Sequence, residues 1–234
     1  MSKSSPVEES GSSTAESQRL LTAALIIGLA AAALALLVFS WLGREVVTGV
    51  PPALDERLRH ALHDHATPGL TGLMITASRF GGPSWLVPIG IALAVGFLFR
   101  GWHRGAVLVI LTLSGAGLLN TLLKQTFGRM RPDAFFDYPL PQSQSFPSGH
   151  AIFAASFFGG LAVLLTDRIS STPIRVLVWV LALALILLVG ASRVYLGVHY
   201  PSDVLAGYAV AVFWVVGVAL GDRVANHRRR RQSV

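Results

Sequence analysis

A histidine and an aspartate four residues apart, His199 and Asp203, stand in a polar island between two of the most apolar runs of the chain. The island reads Ser192-Arg193-Val194-Tyr195-Leu196-Gly197-Val198-His199-Tyr200-Pro201-Ser202-Asp203. Pro201 suits the first turn of a helix, where its missing N–H is no loss, so the following run starts there with Asp203 in its first turn. His199 then lies just outside that helix. The spacing lets the Asp203 carboxylate reach back to one imidazole nitrogen, fixing the tautomer and leaving the other to attack or to accept a proton. An oriented base beside the cation Arg193 is the skeleton of an anion-handling site.

Two other stretches carry matching chemistry. Lys124 is followed after six residues by Arg131-Pro132, and Pro147-Ser148-Gly149-His150 stands at the next helix start. Helix amino termini present unpaired N–H groups and partial positive charge, and Gly149 lets an anion approach the backbone closely. Lys124 supplies a point charge, while Arg131 and Arg193 each offer paired donors to phosphate oxygens.

The elements that position these residues are membrane spans. The chain has 53% hydrophobic and 13% charged residues with a mean hydropathy of +0.59, against about 25% charged in an average soluble domain. The expected fold is all-α: a polytopic membrane protein of 234 residues with room for about six spans of roughly 20 residues. The expected spans are Leu20–Leu42, Ser84–Phe99 with a bend at Pro88, Gly105–Leu123, Ser148–Leu165, Ile174–Ala191 and Pro201–Gly221. Residues 68–79 are apolar but too short to cross and read as a partial or re-entrant helix. Residues 1–18 read as a disordered cytoplasmic tail, 19–223 as one membrane domain and 224–234 as a basic cytoplasmic tail. Since 124–150 and 192–203 are separated by two spans, they share one membrane face.

Together, Lys124 with Arg131-Pro132, then Pro147-Ser148-Gly149-His150, then Ser192-Arg193 with His199 and Asp203, resemble the three-part signature of the type-2 phosphatidic acid phosphatase superfamily. All of its signature positions are present. The resemblance implies that His199 is the nucleophile forming a phosphohistidine, that Asp203 orients and polarises it, and that His150 is the general acid for the leaving oxygen. It implies that Lys124, Arg131, Arg193, Ser148 and the Gly149 N–H hold the phosphate. No cofactor and no metal are implied. The expected function is a lipid phosphatase acting on a phosphomonoester or pyrophosphate, with undecaprenyl pyrophosphate, phosphatidic acid and phosphatidylglycerophosphate as substrates that fit.

The remaining residues give weaker signals. Leu54, Leu58 and Leu62 recur at four-residue spacing in 53–66, a short amphipathic helix on a membrane face. Its His60, His63 and His65 are scattered round the helix and read as a solvated face rather than a metal cluster. Arg129 and Asp133, off the signature, read as local salt bridging or solvation. Phe135, Phe136, Tyr138 and Phe146 suit either a lipid entrance or an interfacial aromatic belt. The net charge of +7 sits at span ends and in Arg228-Arg229-Arg230-Arg231, so topology explains it without nucleic acid. Lys3, Arg19, Arg100, Arg104, Arg168, Arg175, Arg223 and that tail orient both termini to the cytoplasm and the polar loop outward. Expected partners are thus the bilayer and a lipid substrate; Gly217 and Gly221 could pack within one chain as well as between chains, so no oligomeric state follows. Two rival functions are a lipid phosphotransferase using the same histidine, and a transporter or scaffold. The second would need intramembrane charges lining a path, whereas here they gather at span ends.

Overall fold

The computed structural model describes residues 6–48 and 53–232, and every regular element among them is helical. The helices are α1 (Pro6–Val47), α2 (Ala53–Asp64), α3 (Pro68–Phe80), α4 (Pro83–Phe99), α5 (His103–Phe127), α6 (Gly149–Thr166, with a π turn over Ala155–Gly159), α7 (Thr172–Tyr195) and α8 (Pro201–Gln232). Local chemistry sets several boundaries. Thr67 caps α3 by accepting from the Leu70 N–H at 3.3 Å, with Pro68 opening the helix, and Gly128 closes α5 in the left-handed conformation at φ 58°.

Five stretches are long and apolar enough to cross a membrane: Thr22–Val47 within α1, His103–Phe127, Gly149–Thr166, Thr172–Tyr195, and Pro201–Arg228 within α8. The pair α3 and α4, bent by 50° at Gly81-Gly82, supplies the sixth when it serves as one broken span. This matches the expected partial helix over 68–79.

The most buried of these spans is α6. Its apolar stretch is 61% buried, against 6% for that of α1 and 17% for α7, whose outward leucines, isoleucines and valines face lipid. Around α6, the side chains of Leu86, Leu113, Ile152, Phe153, Phe157, Leu164, Val189 and Val210 form the main apolar core. At one end of the bundle Arg104 on α5 binds Asp222 of α8 and, at 3.0 Å, Asp167 beyond α6. The polar loop 128–148 and the 196–200 turn lie at the other end, where the site is built.

Several expectations are corrected. The 1–18 tail is helical from Pro6, because each residue added to an existing helix avoids the nucleation penalty; residues 1–5 lie outside the described residues. Residues 224–232, within the expected basic tail, continue α8, which leaves that expectation as it stood. In α2 the leucines do face outward, with Leu54, Leu58 and Leu62 exposed, but the opposite face is not simply solvated: Asp55 and Arg59 are buried. His63 stacks on Phe135 with ring centroids 4.1 Å apart rather than facing solvent. Phe146 is neither belt nor entrance, since it is fully buried against Phe39, Phe127 and Leu42. Hydropathy alone marks a residue as apolar, not which apolar partner covers it.

Candidate active site

Asp203 enters the site from the first turn of α8, as the Pro201 start requires, and meets His199 across the turn that precedes the helix. The His199 Nδ1 to Asp203 Oδ2 distance is 3.2 Å, and both side chains are buried. Oδ2 also accepts from Ser145 Oγ at 2.5 Å and from the Tyr200 N–H at 3.0 Å, so the carboxylate is fixed from three directions. With an ionised carboxylate at Nδ1, that nitrogen carries the proton and Nε2 is the acceptor. Arg131 Nη1 lies 2.9 Å from Nε2.

Burial pushes the His199 pKa down to about 3, overcoming the opposing hydrogen bond and charge of Asp203, while Arg131 and Arg193 add to the depression. The imidazole is therefore neutral at physiological pH. Burial also lowers the Arg131 guanidinium, with Asp203 opposing, but an arginine keeps its proton in either case.

The cations converge from separate elements. Arg131 is held by its own loop, donating to Ser143 O and to Val198 O, each at 2.8 Å. Lys124, at the end of α5, donates to Gln144 O. Arg193, 1% exposed on α7, donates to Ser78 Oγ of α3, and its Nε is buried without a partner among the described residues. Ser148 is tied to α8 by its N–H on Asp203 O at 2.9 Å, while its buried Oγ has no partner among the described residues. Orphaned donors on Ser148 and Arg193 are what a site for a multiply accepting anion presents when only protein is there. His150, in the first turn of α6, shares the electrostatic surroundings of Arg193, His199, Arg131 and Lys124.

All eight residues singled out from the sequence, His199, His150, Asp203, Lys124, Arg131, Arg193, Ser148 and Gly149, thus lie at this one end of the bundle. Two glycines are needed there. Gly197 has φ +75°, and a Cβ on it would come within 2.6 Å of Phe135 N, so the turn presenting His199 tolerates no side chain. A Cβ on Gly149 would sit 2.8 Å from Asn120 Oδ1, so this glycine serves a protein contact as well as the approach expected of an anion.

Sequence reasoning missed Ser145, Ser78, Asp55 and Asn120. Only Asn120 carried a local signal, standing four residues before Lys124 on the same helix face. Arg129 does not pair with Asp133; its guanidinium, 8% exposed, bonds to Asp203 Oδ1 at 2.6 Å and to Asp55 Oδ2 at 3.2 Å. The aromatic loop packs on the helices: Phe136 stacks on Tyr195, and Tyr138 lies beside Arg193 and Ser78.

Comparison with known proteins agrees with this geometry. Residues 105–224 match the model of the PAP2 superfamily. The chain is 32% identical over 177 residues to phosphatidylglycerophosphatase B of Bacillus subtilis, covering 75% of this chain and 87% of that protein. It is 30% identical over 144 residues to undecaprenyl-diphosphatase of Sulfolobus acidocaldarius, covering 59% of this chain and 64% of that one. The crystal structure of a transmembrane PAP2 type phosphatidylglycerolphosphate phosphatase from Bacillus subtilis superposes with a TM-score of 0.75 at 30% identity, covering 82% of this chain and 96% of that one. A helical bundle of this topology, with the signature residues gathered at one end and a family match over half its length, belongs to the PAP2 superfamily as a multi-pass membrane lipid phosphatase.

Proposed function

We propose that the chain hydrolyses a lipid phosphomonoester or pyrophosphate without metal, through a phosphohistidine at His199. The observation that carries this reading is the orientation of one imidazole: Nδ1 is committed to Asp203, and Nε2, neutral and accepting, faces Arg131 among converging cations. In the first step Nε2 attacks phosphorus in line, the N–P bond forms, the bond from phosphorus to the lipid-side leaving oxygen breaks, and His150 gives its proton to that oxygen. In the second, water attacks the phosphohistidine, the N–P bond breaks, and the water's proton passes to His150. Lys124, Arg131, Arg193, Ser148 Oγ and the Gly149 N–H hold the equatorial oxygens, so charge neutralisation and alignment supply most of the acceleration.

A lipid substrate fits the location of the site, at the end of the spans. Phosphatidylglycerophosphate ranks first because both the curated relative and the solved relative from Bacillus subtilis carry that activity in their names. Undecaprenyl pyrophosphate and phosphatidic acid are the other members of the class. Charge asymmetry between loops supports cytoplasmic termini and an outward site.

The test is phosphate release by purified protein in excess EDTA, with phosphatidylglycerophosphate, phosphatidic acid and undecaprenyl pyrophosphate compared and His199→Ala as control. Release that vanishes in the control supports the reading, and the order of rates assigns the substrate. Release that persists in folded His199→Ala, or that EDTA abolishes, overturns it.

A further inference from the structure

The Asp203 carboxylate has two oxygens with different duties. Oδ2 receives the His199 imidazole, the Ser145 hydroxyl and the Tyr200 N–H. Oδ1 receives Arg129 Nη1 at 2.6 Å. Because Asp203 is wholly buried, losing that donor would leave a charged oxygen unpaired and remove the contact that stops the carboxylate rotating.

Arg129 is itself anchored. The same Nη1 donates to Ser202 Oγ at 2.8 Å, Nη2 donates to Asp55 Oδ2 at 3.2 Å, and the guanidinium lies 4.0 Å over the Tyr200 ring. Asp55, on the buried face of α2, accepts from the Ser202 N–H at 2.9 Å and from Ser202 Oγ at 2.5 Å. It thereby caps the start of α8, the helix that carries Asp203, from a position 147 residues away. The chain Asp55, Arg129, Asp203, His199 is continuous and buried.

Two arginines two residues apart thus divide the work. Arg131 meets the Nε2 side of the histidine, where phosphate would arrive, whereas Arg129 meets the far oxygen of the aspartate on the Nδ1 side. Met130 between them is 86% exposed, the alternation of an extended segment. The sequence signature contains Arg131 but not Arg129 or Asp55.

We propose that Arg129, locked by Asp55 of α2, is a positioning residue that fixes which oxygen of Asp203 meets His199 and so aims Nε2 at the phosphorus. This rests on the reading of His199 as nucleophile. The charged and titratable groups facing His199 are Asp203 from α8, Arg131 from the loop, Arg193 from α7 and His150 from α6, with Lys124 of α5 acting on His150 and Arg131, and Arg129 and Asp55 acting through Asp203. Removing the Arg129 charge leaves Asp203 acting undivided on the imidazole, which raises the pH at which His199 takes up a proton.

The experiment uses the full chain in detergent with the same three lipids as probes, comparing Arg129→Ala, Arg129→Lys, Asp55→Asn and His199→Ala. Turnover is read together with 15N-histidine NMR titration of His199, whose signal is assigned by its loss in His199→Ala. Expected are a kcat lower by about 100-fold in Arg129→Ala with KM within about threefold, and a kcat lower by about tenfold in Asp55→Asn. Arg129→Lys should recover part of kcat, and His199 should titrate higher in Arg129→Ala and return toward normal with lysine. A kcat within about threefold in Asp55→Asn overturns the proposal even when Arg129→Ala fails to fold, and so does a kcat within about threefold in folded Arg129→Ala. So does a rise in KM alone, which would make Arg129 a phosphate holder, or a fall in kcat with the His199 titration unmoved, which would make it merely structural. If His199→Ala is inactive while the Arg129 and Asp55 variants are normal, only this proposal fails; if His199→Ala is active, the nucleophile reading fails first.

Discussion

Arg131 Nη1 donates to His199 Nε2 across 2.9 Å, so the nitrogen opposite Asp203 is already aimed at a cation before any phosphate is present. In the proposed mechanism an incoming phosphoryl group would take that cation over, moving the guanidinium from the ring nitrogen to a phosphate oxygen and freeing the lone pair. Vanadate, which imitates pentacoordinate phosphorus, should therefore compete with substrate. Arg131→Lys keeps the charge but loses the paired donors, so vanadate inhibition should weaken by about tenfold and kcat should fall by about 10- to 100-fold. Inhibition constants and steady-state rates for the two proteins check this; equal vanadate affinity would remove Arg131 from the anion site.

The pH dependence of stability follows from the burial of His199. Its pKa is about 3 when folded and near 6.5 when unfolded, so above pH 6.5 both states are neutral there and the group contributes no pH dependence. Between 6.5 and 3 the unfolded chain binds the proton first, and stability falls as pH is lowered, by on the order of a few kcal/mol. His199→Gln should have a smaller loss of thermal stability from pH 7 to pH 4 than the unaltered protein. An identical decline in both would show that His199 does not supply this dependence.

Gly197→Ala tests the turn that presents the nucleophile candidate. The positive φ and the close Phe135 backbone predict a destabilisation of about 1–3 kcal/mol and a marked loss of turnover, because the turn and His199 must shift together. Thermal unfolding and phosphate release read the two effects separately.

At the opposite end of the bundle, Arg104→Met removes the partner of Asp222 and Asp167 while leaving the site untouched. Since Arg104 is partly exposed, the expected loss is about 1 kcal/mol, seen as a lower melting temperature with kcat unchanged. A large fall in kcat would show coupling between the two ends.

Gln142 is exposed in the polar loop, and a cysteine there is the only one in the chain. Gln142→Cys should react with an impermeant thiol reagent in intact cells, in keeping with an outward site. Labelling only after lysis would reverse the proposed orientation.

What the sequence determined by itself was what is local or compositional. Mean hydropathy and run length established a membrane bundle, and the Asp203 to His199 contact was legible because it spans four residues fixed by a helix start at Pro201. The signature spacing identified eight residues that the folded chain gathers at one end. The amphipathic pattern of α2 located its leucines but could not say that Asp55 on the other face would cap α8, because a polar face is the same pattern whether water or a distant N–H satisfies it. Arg129 looked like a loop cation for the same reason: its partners lie 73 and 74 residues away in sequence. Ser145 bonding to Asp203, Arg193 bonding to Ser78, and Phe146 in the core are likewise pairings across elements. Those depend on how helices pack around α6, and only the tertiary structure, where each buried charge must find its partner, decided them.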